Sequence, residues 1–101
     1  MDRLEAVREL VQHDHAILNP DFARTIAAPF GVNPTPGRFR VGVGRVESGP
    51  SGEWSGVSAH DLAHTLAEAI GLQEGRDYPS QHGIGSQLRV ACAAIEKALT
   101  A

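Results

Sequence analysis

The chain of 101 residues contains a single cysteine, Cys92, which rules out an internal disulfide or a cysteine-rich zinc site. Lysine is almost as scarce. Of nine basic residues only Lys97 is lysine, a bias that carries no functional weight. No apolar run approaches the roughly 18 residues that a membrane span needs. The first residues, Met1 to Leu10, are charged and amphipathic, with no apolar signal-peptide core. No membrane partner is expected, and a cytoplasmic protein is the default reading. Positive charge is not in excess either. The net charge is −3, which argues against a surface built to neutralise phosphates. There is no internal repeat and no low-complexity segment.

What is present is enough for one small globular domain, residues 1–101. Hydrophobic residues make up 42% of the chain, so it should fold around a modest core. Leu4, Val7, Leu10 and Val11 recur at spacings of three and four, which predicts a helix from Asp2 to about His15. Ile17 and Leu18 either extend it or pack just beyond it. Asn19 suits a helix cap, Pro20 the first helical position and Asp21 the positive end of the helix dipole. Phe22, Ile26 and Phe30 supply that second helix with an apolar face, and Pro29 ends it. A loop over Gly31–Gly37 precedes a cleanly alternating stretch. Phe39, Val41 and Val43 point one way and Arg38, Arg40 and Gly42 the other, as in a half-buried strand. A turn at 47–52 and a return strand at Glu53–Val57 make an antiparallel hairpin. Two strands alone are marginal, so the hairpin must pack on helices or gain strands from elsewhere.

The third helix, Ser58–Ile70, is the best marked. Ser58 is its cap, and Asp61 is placed to close a capping box. Val57 with Leu62 forms a hydrophobic staple, and Gly71 stands where a left-handed residue is wanted. A loop from Gln73 to Gly85 leads to a last helix, Ser86–Leu99, with Leu88, Ala91, Cys92, Ile95 and Leu99 as its buried stripe. The expected class is α+β, a small antiparallel hairpin on four helices in the order α-α-β-β-α-α.

The third helix also reads His60-Asp61-Leu62-Ala63-His64. Two histidines four apart face the same way, and Glu68 extends the row, so His60, His64 and Glu68 are the candidate metal ligands. A metal-dependent hydrolase would need the middle acid to reach a metal-bound water, and Asp61 is a methylene too short. The row lies roughly 120–160° from the Leu62, Leu66 and Ile70 face, where ordinary solvated residues lie. Weak or no stoichiometric zinc binding follows from that position, and no cofactor is expected. His13, His15 and His82 read as independent surface histidines. Cys92 reads as a small buried thiol rather than a nucleophile. Gly42-Val43-Gly44 and Gly49-Pro50-Ser51-Gly52 lack the lysine of a phosphate loop and read as turns.

No catalytic set emerges. The chain reads as a non-enzymatic protein-binding regulator, adaptor or inhibitor, of the sort a phage or other mobile element carries. Trp54, beside a Gly/Ser/Pro turn, suits an exposed anchor for a protein partner. The open edges of the hairpin suit a homodimer. The alternatives are a nucleic-acid-binding regulator that grips phosphate with Arg38 and Arg40 and, third, a metal-dependent hydrolase centred on His60 and His64. The cap itself is testable. Ser58→Ala is expected to lower the unfolding free energy by about 0.5–2 kcal/mol in a urea denaturation, and no change would refute the cap.

Overall fold

The computed structural model describes residues 1–42, 45–48, 54–80 and 86–101, with residues 38–42, 45–48 and 54 described as backbone only. Four α-helices are found among them: α1 (Arg3–Val11), α2 (Pro20–Ala27), α3 (Ala59–Ala69) and α4 (Gln87–Thr100). Four strands accompany them: β1 (Ile17–Leu18), β2 (Gly37–Gly42), β3 (Arg45–Ser48) and β4 (Trp54–Ser58). The class is α+β, with helices at both ends and antiparallel strands between them.

Each helix begins on a side chain that satisfies an orphan backbone donor. Asp2 accepts from the Glu5 N–H at 2.8 Å, and Asn19 from that of Asp21 at 2.8 Å. Ser58 accepts from Asp61 N–H at 3.4 Å, and Ser86 from Leu88 N–H at 3.1 Å. Among the described residues no reciprocal bond runs from the Asp61 carboxylate to the Ser58 backbone, so only the serine half of the box forms. The ends are equally local. Gly71, at φ +86°, donates to Glu68, and Leu72 donates to Ala67 at 2.9 Å. Those two bonds are a Schellman motif, which needs a left-handed residue and finds glycine there. Gly31, at φ +71°, closes a 3-10 turn over Ala28–Phe30 in the same way, bonding to Ala28 while Val32 bonds to Ala27.

α1 ends at Val11, four residues short of the expected boundary, which is where its apolar row also ends. The chain then reverses through His15, whose φ of +63° is left-handed, and delivers Ile17 and Leu18 as a short strand. The two expected strands are present and pair: β2 lies antiparallel to β4, with Phe39 opposite Trp54. Each has a further neighbour. β1 flanks β4, with Leu18 opposite Val57, and β3 returns along β2, with Val41 opposite Val46. The sheet order is β1-β4-β2-β3, so Arg45–Ser48 forms an outer edge strand, and Glu47 and Ser48, expected in the turn, belong to it because they pair with Arg40 and Phe39. Four strands relieve the weakness of an isolated pair.

One core joins the helices to the β1–β4 end of the sheet. Val7 and Leu10 of α1, Ile26 of α2, Leu62 and Leu66 of α3 and Leu88 and Ile95 of α4 are its largest fully buried side chains. Ala59, Ala63 and Ala67 on α3, with Ala91 and Cys92 on α4, are also buried. Among the described residues Met1 is the one large hydrophobic left exposed, and no polar residue is fully buried. No helix among them is long and apolar enough to cross a membrane.

A polar clamp fixes α4 to the reversal after α1. Asp14, 15% exposed, accepts from Ser86 Oγ at 2.6 Å and lies 3.3 Å from Arg89 Nε. Ser86 thus caps its own helix and donates to another segment. The Arg8–Glu96 pair at 2.9 Å joins α1 to α4 too, but both partners are exposed and such pairs add little. Asp14→Ala is therefore expected to lower stability by about 1–3 kcal/mol in chemical denaturation. Arg8→Ala should change it by less than about 1 kcal/mol. The reverse ranking would contradict the clamp.

Candidate functional site

Burial of Leu62 and Leu66 sets the rotation of α3 about its axis, so residues 60, 64 and 68 are turned away from the core. His60 and Glu68 are exposed. The two histidine rings lie edge to face, with centroids 4.7 Å apart and an interplanar angle of 62°. So far this is the solvated row that the helical spacing implies.

The chain after α3 changes its character. Past the Schellman turn, residues 73–78 fold into a compact loop. Asp77 accepts from the Gln73 N–H at 2.7 Å and from Arg76 Nε at 2.9 Å, and Arg76 Nη2 donates to the Gly71 carbonyl at 2.8 Å. The hydrogen bond from Arg76, then the one from the Gln73 backbone, holds the Asp77 carboxyl below its ordinary value. Glu74 and Tyr78 face one another in an isolated bridge, and Gly75 N–H donates to the Tyr78 carbonyl. The loop thereby returns to α3. Tyr78 buries its ring to 6% exposure, and its hydroxyl stands 2.8 Å from His64 Nδ1. Glu74 Oε2 stands 3.2 Å from the same nitrogen.

His64 is thus covered to 20% side-chain exposure and flanked by two groups. The hydrogen bond at Nδ1 is the one with the Tyr78 hydroxyl, which holds the ring in place, while Glu74 adds a nearby negative charge. Burial, and next the nearby charges of Glu74, Glu68 and Asp77, push the Tyr78 hydroxyl above its ordinary value, so it remains a neutral phenol.

The other candidates fall elsewhere. Cys92 is buried in α4, and burial, with smaller contributions from Asp14 and Glu96, pushes its thiol up to about 12. That removes the thiolate a nucleophile needs. His13 lies 3.4 Å from Glu9 and edge-on to Phe22, while His15 is exposed beside Asp14. Among the described residues no hydroxyl other than that of Tyr78 bonds to a histidine. No group of three or more His, Cys, Asp or Glu there is placed to hold a metal. A cleft of about 350 Å³ opens between residues 32–35 and the start of α3, floored by Val57 and Leu62 and rimmed by Asp61 and Thr65. It includes none of the candidate ligands. The side chains of Arg38, Arg40 and Trp54 lie outside the described residues, as do His82 and the turn at 49–52.

Tyr78 and Glu74 are the site residues that spacing alone does not reveal. The available signal was the one tyrosine of the chain standing in an otherwise polar loop, where its ring needs a place to be buried. The chain matches no protein-family model, and neither the curated proteins nor the solved structures contain a match to it.

Tyr78 is the sole tyrosine, so the ultraviolet phenolate band reports on it alone. The raised pKa stabilises the folded state below the ordinary value of 10.0, and that contribution is lost as pH rises through the folded pKa. In an alkaline titration the native midpoint should lie above that of the urea-unfolded chain. A native midpoint at or below it would contradict the burial of Tyr78 beside the carboxylates of Glu74, Glu68 and Asp77.

Proposed function

We propose that the chain is a small non-enzymatic protein-binding module that receives a partner's strand along the outer edge of its sheet. The observation that supports this reading is the position of β3. It is last in the order β1-β4-β2-β3, and among the described residues no strand pairs with its far side. Such an edge carries a row of backbone donors and acceptors, a ready template for strand addition. The body of the molecule offers little competition. Its described helical surface has no large exposed hydrophobic beyond Met1, and α2 and α3 pack on β4, at the other side of β2 from this edge. A regulator or inhibitor built this way acts by occupying its partner. A second copy of the chain, paired edge to edge, is the simplest such partner.

One observation favours nucleic acid as a second reading. In the observed register Arg38, Arg40 and Arg45 occupy positions on one face of the sheet, with Glu47 among them. Three arginines on one face suit a phosphate backbone, although the net charge of −3 opposes it.

A photo-crosslinking residue at Ser48, on the edge strand, tests the first reading in cells of the source. Proline placed in turn at Val46 and at Glu47 removes alternate backbone donors of β3, one of which faces outward. A discrete protein adduct is expected, and one of the two prolines should abolish it with the thermal midpoint unchanged. A protein adduct that survives both substitutions, or an adduct to nucleic acid alone, would overturn the reading.

A further inference from the structure

We propose that two copies of this chain pair antiparallel along β3, about a twofold axis at Val46, so that Arg45 of each copy stands opposite Glu47 of the other. The proposal rests on the edge reading above and gives that edge its occupant and its register.

The sheet ends in β1 on one side and β3 on the other. β1 is two residues long, with Leu18 buried in the core, and shortness is itself a guard against pairing. β3 has four residues, and among the described residues no strand lies on its far side. It holds neither proline nor lysine, and it pairs one to one with β2 without a bulge. Its two charges are of opposite sign, and a second copy can use both.

Geometry limits the registers. Backbone groups along a strand alternate in direction, and facing residues of an antiparallel pair must match in that direction. A strand that pairs with its own copy therefore has its axis at a residue, never between two. Axes at Val46 and at Glu47 each keep three facing pairs within β3. The axis at Glu47 sets that residue against itself, and like charges directly opposite destabilise a sheet. The axis at Val46 sets Arg45 against Glu47 twice, once on each side, and opposite charges there stabilise it. Charge thus selects Val46.

The rest of the sheet agrees with that choice. Arg40 stands opposite Glu47 within the chain, and the Val46 axis continues this row to Arg45 of the second copy. The signs then alternate across the interface. On the other face Val41 stands opposite Val46, and the same axis extends the pair to a row of four valines, two from each copy. Branched residues at facing positions suit a sheet. The axis at Glu47 sets Val46 against Ser48 instead. Because the same edge serves both copies, the assembly closes at two.

Sedimentation equilibrium of the full chain should give a dimer whose dissociation constant rises with salt. Arg45 stands opposite Gly42 in its own chain, so Arg45→Glu spares the hairpin, which circular dichroism checks. It should weaken the dimer roughly 10-fold by setting like charges against each other at both ends. Thiol crosslinking reads the register. Facing Cα atoms at the axis lie roughly 4.5–5.5 Å apart, within disulfide range, whereas the two Glu47 positions lie roughly 8 Å apart, beyond it. Under mild oxidation Val46→Cys should give a covalent dimer and Glu47→Cys should not. The unaltered chain, whose Cys92 is buried, should give none. A monomer mass at every accessible concentration, a dimer not weakened by Arg45→Glu, or crosslinking through Glu47→Cys in preference to Val46→Cys would overturn the proposal. A monomer that still forms the Ser48 adduct with a different protein overturns self-pairing and leaves the edge reading standing. Loss of dimer and adduct together overturns both.

Discussion

The burial of Leu62 and Leu66 against the other helices is the constraint on which the rest of the structure depends. Both side chains are almost completely removed from water, at 1% and 0% exposure. Burying a leucine contributes about 1.5–3 kcal/mol, so this face alone decides how α3 sits. Ala59, Ala63 and Ala67 flank the two leucines, and their small size lets neighbouring elements approach closely. α4 meets this surface with Leu88, Ala91, Cys92 and Ile95, and β4 runs directly into the helix through Ser58. Once the leucine face is committed inward, the positions of His60, His64 and Glu68 on the other side follow from helical geometry.

The polar contacts refine this arrangement and do not create it. Asp14 joins the reversal after α1 to the cap of α4, and Gln87 donates to the Pro79 carbonyl, tying the last helix to the loop over His64. The first bond joins segments 72 residues apart in the chain, and the second is local, eight residues apart. The site thus inherits its precision from the core on one side and from the 73–80 loop on the other. A row of two histidines on a bare helix would be adaptable. With Tyr78 and Glu74 against it, one of the rings is held in a defined orientation.

What could be read from the residues is what local physics determines. Asp2, Asn19, Ser58 and Ser86 cap helices through bonds two or three residues away, and Gly71 ends one through its own φ. Alternation marked β2, and helical spacing marked the buried stripe of α4, in which Leu99 is only half-buried. What could not be read depends on partners distant in sequence. Ile17 and Leu18 form a strand only because β4 lies beside them. The left-handed turn at His15 follows from the need to reach it. The cover over His64 comes from a residue fourteen positions on, brought back by a loop whose fold rests on Asp77. No pattern of apolar residues encodes that return. The sheet arginines and Trp54, in contrast, were read from residue type and proximity, and for these the described structure gives backbone register alone.

The loop converts a surface histidine into a covered one whose Nδ1 is hydrogen-bonded to Tyr78. Long-range nitrogen–proton correlation spectra of the neutral imidazoles test this directly, because the two ring nitrogens resonate differently in each tautomer. His64 should differ from the exposed His15 through its hydrogen-bonded Nδ1, and Tyr78→Phe should remove that difference. A wild-type His64 indistinguishable from His15, or a difference that survives Tyr78→Phe, would contradict the contact.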